Sequence, residues 1–205
     1  MTQQPTLQQA LKQLRQLQKL NPTNIRLAGE AWSTEWQTLI AIMLSAQTRD
    51  VKTIEIATPL FKKYPTPQKL GKEKLEKIEQ VIKSINYYKT KAKHIKETSQ
   101  ILSKINMPET INELTKLPGV GRKTANVFLS ETGKAPAIGV DTHVFRISHK
   151  LGWAVSNNRD KVEEELKQLF PSKYWNEINT TLVKFGQTFG RSSKQEDEML
   201  SKIIN

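Results

Sequence analysis

No cysteine occurs anywhere in the 205 residues. That excludes disulfide bridges, a thiol nucleophile and every metal site built on thiolates. The three histidines, His94, His143 and His149, show no ligand spacing that would compensate. Long apolar runs are missing too. Nothing approaches the ~20 residues a membrane-spanning helix needs, and no charged-then-apolar leader opens the chain, so a soluble, intracellular protein of the cytoplasm or nucleoid is expected. Strand-like alternation of useful length, internal repeats and low-complexity tails are likewise lacking, which points away from sheets and solenoids. Acid is the last shortage. Asp and Glu number 20 against 32 Lys and Arg, a formal net charge of +12. A surplus of that size makes a polyanion the expected partner, nucleic acid first and an anionic membrane surface second.

What is present is helical periodicity, in a chain long enough for one compact unit or two small lobes. Leucines at 7, 11, 14, 17 and 20 form a stripe, with Thr6 and Gln9 as a capping box, and Asn21-Pro22-Thr23-Asn24 breaks it. Trp32, Trp36, Leu39, Ile40, Met43 and Leu44 keep the same spacing, so a helix over 32–45 places both tryptophans in a core rather than on a base-stacking surface. A helix over 51–63 ends at Tyr64-Pro65-Thr66-Pro67. Residues 69–85 read as one charged, amphipathic run, and a further helix starts near Lys89. After Met107-Pro108 a short helix covers 111–116. Downstream, Ser156–Asp160 is a loop and cap, 162–170 an acidic helix, Ile178, Leu182 and Val183 mark a helix ending near Gly186, and the end of the chain is helical from about Lys194.

The stretch richest in chemistry is Leu117-Pro-Gly-Val-Gly-Arg-Lys-Thr-Ala-Asn126, followed by Val140-Asp-Thr-His-Val-Phe-Arg146. Gly119 and Gly121 flank Val120 as the pivots of a turn between helices, and such a turn can aim peptide N–H groups at one anion. The helix starting near Arg122 adds its unpaired N–H groups and positive dipole end. Lys123 stands in the first turn of that helix, where the dipole and Arg122 disfavour an ammonium. An amine that gives up its proton there can form a Schiff base with a sugar C1′. Asp141 falls where a helix N-cap belongs, and a carboxylate at such an entry can also stabilise a positive sugar or move a proton.

These two motifs resemble the helix-hairpin-helix DNA glycosylases, most closely the endonuclease III branch, over roughly positions 20 to 190. The resemblance implies an all-α, two-lobed helix-hairpin-helix glycosylase fold with a central DNA-binding cleft. Residues 24–135 would form a helical barrel, and residues 1–23 with 136–205 the second lobe. It makes Lys123 the nucleophile and Asp141 its essential partner. It assigns DNA contacts to Gly119, Val120, Gly121, Arg122 and His143. In Leu44-Ser-Ala-Gln-Thr-Arg-Asp50, Gln47 would enter the gap left by an extruded base, with Ser45 and Asp50 lining the site. Tyr87 would be the wedge beside it, against the alternative of a loop tyrosine packed on its own domain. Lys89, Lys91 and Lys93 would then face the phosphate backbone, and Thr115 would help line a base pocket.

The resemblance also marks a departure. The family's C-terminal 4Fe–4S iron–sulfur cluster depends on four cysteine thiolates, and this chain has none. No metal centre or organic cofactor is expected, and a monovalent cation held by hairpin carbonyls is the one ion the resemblance leaves room for. The implied activity is excision of damaged bases, oxidised pyrimidines first, coupled to strand cleavage at the abasic site by a monomer acting on double-stranded DNA. An oxidised purine such as 8-oxoguanine, bare abasic sites, or a non-catalytic helix-hairpin-helix binding module remain open as alternatives.

Overall fold

The computed structural model describes residues 4–22 and 24–204, and every regular element among them is helical. Twelve α-helices follow in chain order: α1 (Leu7–Leu20), α2 (Glu35–Ser45), α3 (Asp50–Lys63), α4 (Pro67–Lys72), α5 (Leu75–Ile82), α6 (Tyr88–Leu102), α7 (Ile111–Leu114), α8 (Arg122–Thr132), α9 (Thr142–Lys150), α10 (Arg159–Leu169), α11 (Trp175–Phe189) and α12 (Ser193–Ile204). They divide into two compact units, Arg26–Ala135 in one and the stretches Met1–Ile25 and Pro136–Asn205 together in the other.

In the unit Arg26–Ala135, α2 is the central element. Its run Trp36-Gln-Thr-Leu-Ile-Ala-Ile-Met-Leu44 is apolar almost all round, with Leu39, Ile40, Ala41 and Leu44 fully buried. A helix without a polar face has to be enclosed, and α2 packs against α3, α6 and α8. The helix starts three residues later than the tryptophan spacing suggests, after the extended Thr34. Trp32 therefore precedes it, yet both tryptophans still meet Phe61 edge-on, at centroid distances of 4.9 and 5.3 Å. The charged run expected over 69–85 is two helices, because Glu73 and Lys74 adopt extended backbone between α4 and α5. Gly71 lets α4 lie directly on α6: a Cβ there would sit 3.0 Å from the backbone nitrogen of Gln100.

In the second unit the Thr6–Gln9 capping box opens α1. Of the expected break at 21–24, Thr23 lies outside the described residues. Trp153 is fully buried, edge-on to Phe170 at 4.8 Å, and its indole N–H donates to Gln13 Oε1 at 2.6 Å. That bond gives a buried polar atom the partner it requires. α11 continues through Gly186 to Phe189, three residues beyond the expected stop. Within a helix that glycine costs about 1 kcal/mol relative to alanine, and its lack of a side chain makes room for the ring of His143 on α9, whose Cγ would lie 2.8 Å from any Cβ. α12 is fastened by Glu196, which is 1 % exposed and takes two hydrogen bonds from Arg146, at 2.9 and 2.6 Å, and one from Lys150 at 2.7 Å. Both basic residues belong to α9, so the last helix is tied to the helix that Asp141 caps.

Candidate active site

The hairpin is built from the bottom up by Leu117-Pro118-Gly119-Val120. The Val120 N–H donates to Leu117 O at 3.1 Å, and Gly119 has φ +77°. Proline followed by a residue with positive φ is the pattern of a type II turn. The two glycines are therefore not equivalent. Gly119 is required by its backbone and by His94, whose Cγ would lie 2.8 Å from an added Cβ. Gly121 is extended (φ −89°, ψ 174°), a conformation open to any residue, and a Cβ there would meet nothing within 4 Å. It is the N-cap of α8, and no side chain caps that helix end. A helix start without a side-chain cap, beside a glycine with open space around it, is the arrangement that suits an anion. Val120 departs from expectation: its side chain is buried and its N–H closes the turn, so neither reaches outward.

Lys123 is half-buried in the first turn of α8 and makes no hydrogen bond or ion pair to another described residue. Arg122 beside it is exposed. In the other unit, Asp141 is the N-cap of α9, where its Oδ1 accepts from the Val144 N–H at 2.8 Å. His143, in the first turn of α9, is half-buried against Gly186. Its Nδ1 lies 3.3 Å from Arg146 Nη2, so the packing of α9 on α11 already accounts for much of this residue.

Two of the remaining candidates, Gln47 and Tyr87, lie at the start of α6. Gln47 is exposed with φ +55°, and Tyr87 is 65 % exposed with φ +57°. Tyr87 is thus presented outward and not packed on its own domain. The two are linked, since Asn86 Nδ2 donates to Gln47 O at 2.8 Å. Ser45 and Thr115 turn back on their own helices: Ser45 Oγ donates to Ile42 O at 2.9 Å, and Thr115 Oγ1 to Ile111 O at 2.9 Å. Asp50 lies in the first turn of α3, where its charge suits the helix dipole.

Lys91 corrects the expectation that it faces DNA. Lys89 and Lys93 are exposed, but Lys91 is buried, and its ammonium donates to Leu44 O at 2.7 Å, Ala46 O at 2.6 Å and Thr48 Oγ1 at 3.1 Å. Burial pushes its pKa down to about 8, while three oxygen acceptors and the carbonyl end of α2 favour the protonated form. The supports Asn86, Lys91, His94 and Thr98 were missed in the sequence. Their one legible signal is the 87/91/94/98 spacing, which puts Tyr87, Lys91, His94 and Thr98 on one face of α6.

A cavity of about 380 Å³ elsewhere in the Arg26–Ala135 unit is lined by Glu30, Glu35 and Glu131 around Trp32 and contains none of these candidates. Its acidic rim is ill-suited to a polyanion. Among the described residues no group of three or more His, Cys, Asp or Glu side chains is placed to hold a metal ion. No helix among them is long and apolar enough to cross a membrane. The donor set also fails to fit an iron–sulfur cluster, for the C-terminal region offers ammonium, guanidinium and carboxylate groups and no thiolate.

Comparison with known proteins agrees with this geometry. Residues 40–172 match the family described as HhH-GPD superfamily base excision DNA repair protein, a span that holds every candidate named above. The chain is 44 % identical over 155 residues to endonuclease III of Thermotoga maritima, covering 74 % of this chain and 73 % of that protein. It is 40 % identical over 170 residues to endonuclease III of Rickettsia prowazekii, covering 80 % and 78 %. A solved trapped endonuclease III–DNA covalent intermediate superposes with a TM-score of 0.83 at 36 % identity, covering 92 % of this chain and 90 % of that one. With its Leu117–Val120 turn leading into α8 and Lys123 in the first turn of that helix, the chain belongs to the HhH-GPD superfamily of base excision DNA repair proteins, within its endonuclease III branch.

Proposed function

We propose how the residues of this DNA glycosylase with abasic-site lyase activity divide the work of base excision on double-stranded DNA. The hairpin holds a backbone phosphate through the N–H groups at the start of α8. Gln47 and Tyr87 occupy the space left in the duplex when the damaged nucleotide is extruded. Neutral Lys123 attacks C1′, a C–N bond forms as the glycosidic bond breaks, and the base leaves with its electron pair. Ring opening yields an iminium, which acidifies the C2′ proton. Loss of that proton drives departure of the 3′ phosphate by β-elimination and cleaves the strand. The Asp141 carboxylate stabilises the cationic sugar. Oxidised pyrimidines are the proposed substrates. No cluster or organic cofactor enters the sequence of steps, and a monovalent cation could be held only by hairpin carbonyls. The enzyme would act as a monomer on DNA inside the cell.

The observation that carries this reading is Lys123: a half-buried lysine with no hydrogen bond or ion pair to another described residue, in the first turn of a helix whose N-terminus no side chain caps. A covalent DNA intermediate trapped with a protein of this similarity supports the same chemistry. The test is borohydride reduction during turnover on duplexes that each carry a single lesion, followed by peptide mapping. The adduct is expected on Lys123, strongest with oxidised pyrimidines, and absent in Lys123→Gln, which should still bind lesion DNA. An undiminished adduct in Lys123→Gln would move the nucleophile elsewhere.

A further inference from the structure

Two bulky residues, Gln47 and Tyr87, are held in left-handed backbone conformation. Each such conformation is strained and persists only where its surroundings over-determine it. Among the described residues the only other non-glycine example is Ala31. The surroundings that impose these two conformations are specific. All three N–H donors of Lys91 are directed to the segment on both sides of Gln47: Leu44 O in the last turn of α2, Ala46 O at its C-cap, and Thr48 Oγ1. Asn86 takes the carbonyl of Gln47 itself. The Lys91 N–H donates to Tyr87 O at 3.0 Å, so the same residue closes the first turn after the proposed wedge. One turn further along that face, His94 packs on Gly119, and Thr98 Oγ1 donates to Pro118 O at 2.9 Å. A single helix face therefore touches two separate segments, the Gln47 loop and the hairpin, and carries Tyr87 at its own N-cap. At about 1.5 Å per residue it fixes their spacing.

Resting on the roles proposed above for Gln47 and Tyr87, we infer that Lys91, aided by Asn86, is a positioning residue that locks the Gln47 loop to the Tyr87 turn, so that both side chains are presented together to the gap in a damaged duplex. Lys91 touches neither base nor sugar. It replaces two independently mobile loops by one preset pair, which removes the ordering that DNA binding would otherwise require. Chemistry at Lys123 on a substrate with no stack to hold open does not need that pair.

The experiment compares single-turnover excision from a lesion duplex with cleavage of a single-stranded abasic oligonucleotide, for Lys91→Met, Asn86→Ala and Gln47→Ala, singly and combined. Lys91→Met keeps the apolar stem and removes the donors. Asn86 is exposed, so its variant tests the idea even if Lys91→Met unfolds. Duplex excision is expected to fall about tenfold in Lys91→Met, the scale of lost hydrogen bonds from a charged donor, and about threefold in Asn86→Ala. Single-strand cleavage should stay within about twofold of wild type in both, since it bypasses the stack. In the Gln47→Ala background, Lys91→Met should add little, because residues that act through one another are not additive. A purely structural lysine would lower both activities and add fully to Gln47→Ala, and that result overturns the inference. If Gln47→Ala itself spares duplex excision, the proposed role of Gln47 has failed instead. If Gln47→Ala is selectively impaired while Lys91→Met and Asn86→Ala are not, the positioning role alone has failed.

Discussion

Helices α8 and α9 each begin beside a proposed catalytic group, Lys123 for one and Asp141 for the other, yet their N-termini are finished in opposite ways. At α9 the Asp141 carboxylate folds onto the Val144 N–H, so the helix supplies its own anion. At α8 the N-cap is Gly121, which has no side chain to give, no side chain caps that end, and space lies beside the glycine. Every helix start leaves about four N–H groups unpaired. A start capped from within is structurally complete, whereas one left bare has its affinity for an anion still available. The difference supports the proposed phosphate site at α8, and under the proposed mechanism the carboxylate at α9 serves a cap and a reaction at once.

The strongest way to break this comparison is Asp141→Asn. Asparagine caps as well as aspartate, so the melting temperature should hold while kcat on lesion duplexes falls about 10²-fold or more, the scale of removing a group that stabilises developing charge. Thermal melting and steady-state kinetics on one preparation decide it. Wild-type turnover would leave Asp141 as a cap alone.

Next in size is the pair of hairpin glycines. Gly119→Ala forces a side chain into positive φ and against His94, and should destabilise the protein by about 1–3 kcal/mol in denaturant titrations. Gly121→Ser does something different: it installs at α8 the hydroxyl cap that α9 already has in carboxylate form. Stability should be kept or slightly raised, while affinity for abasic duplex drops by roughly fivefold as the serine competes for the same N–H groups. A Gly121→Ser protein that binds abasic duplex as wild type would mean that the bare helix end is not the phosphate site.

The smallest effects concern pH and separate the buried charges of the two units. Burial alone would raise the Glu196 carboxyl, but the hydrogen bonds from Arg146 and Lys150 hold it below 4.5. The unfolded chain therefore takes up that proton first as pH falls. The stability this network contributes is complete above about 4.5 and is lost as pH drops through the lower folded value. Lys91 has the same sense in a higher pH window. Its folded pKa is near 8 against 10.5 unfolded, so the unfolded chain holds more protons between these values and stability rises with pH across that window. Glu196→Gln should flatten the acid slope, and Lys91→Met the alkaline one, in denaturant titrations at a series of pH values.

Much of this was legible in the chain itself, because it depends on local sequence. The leucine stripe of α1, its Thr6–Gln9 capping box and the Asp141 cap each involve residues within one or two turns, where 3.6-residue periodicity and capping chemistry operate without help from elsewhere. The Pro118-Gly119 turn is local in the same sense, and the absence of cysteine ruled out a thiolate-held cluster before any folding was considered. Only the tertiary structure decided what long-range contact controls. Lys91 looks like its neighbours Lys89 and Lys93, and it becomes a buried clamp because α6 passes the carbonyl end of α2, 47 residues away from Leu44 in sequence. Glu196 is one of several acids in the final stretch until α9 brings Arg146 and Lys150 to it, 50 and 46 residues away. Gly121 looks equivalent to Gly119 until the backbone shows one extended and open, the other left-handed and pressed on His94. Periodicity and caps are properties of a few consecutive residues, so the sequence states them. Burial of a charge and the space beside a glycine depend on which distant segments arrive there, and those are set only when the helices pack.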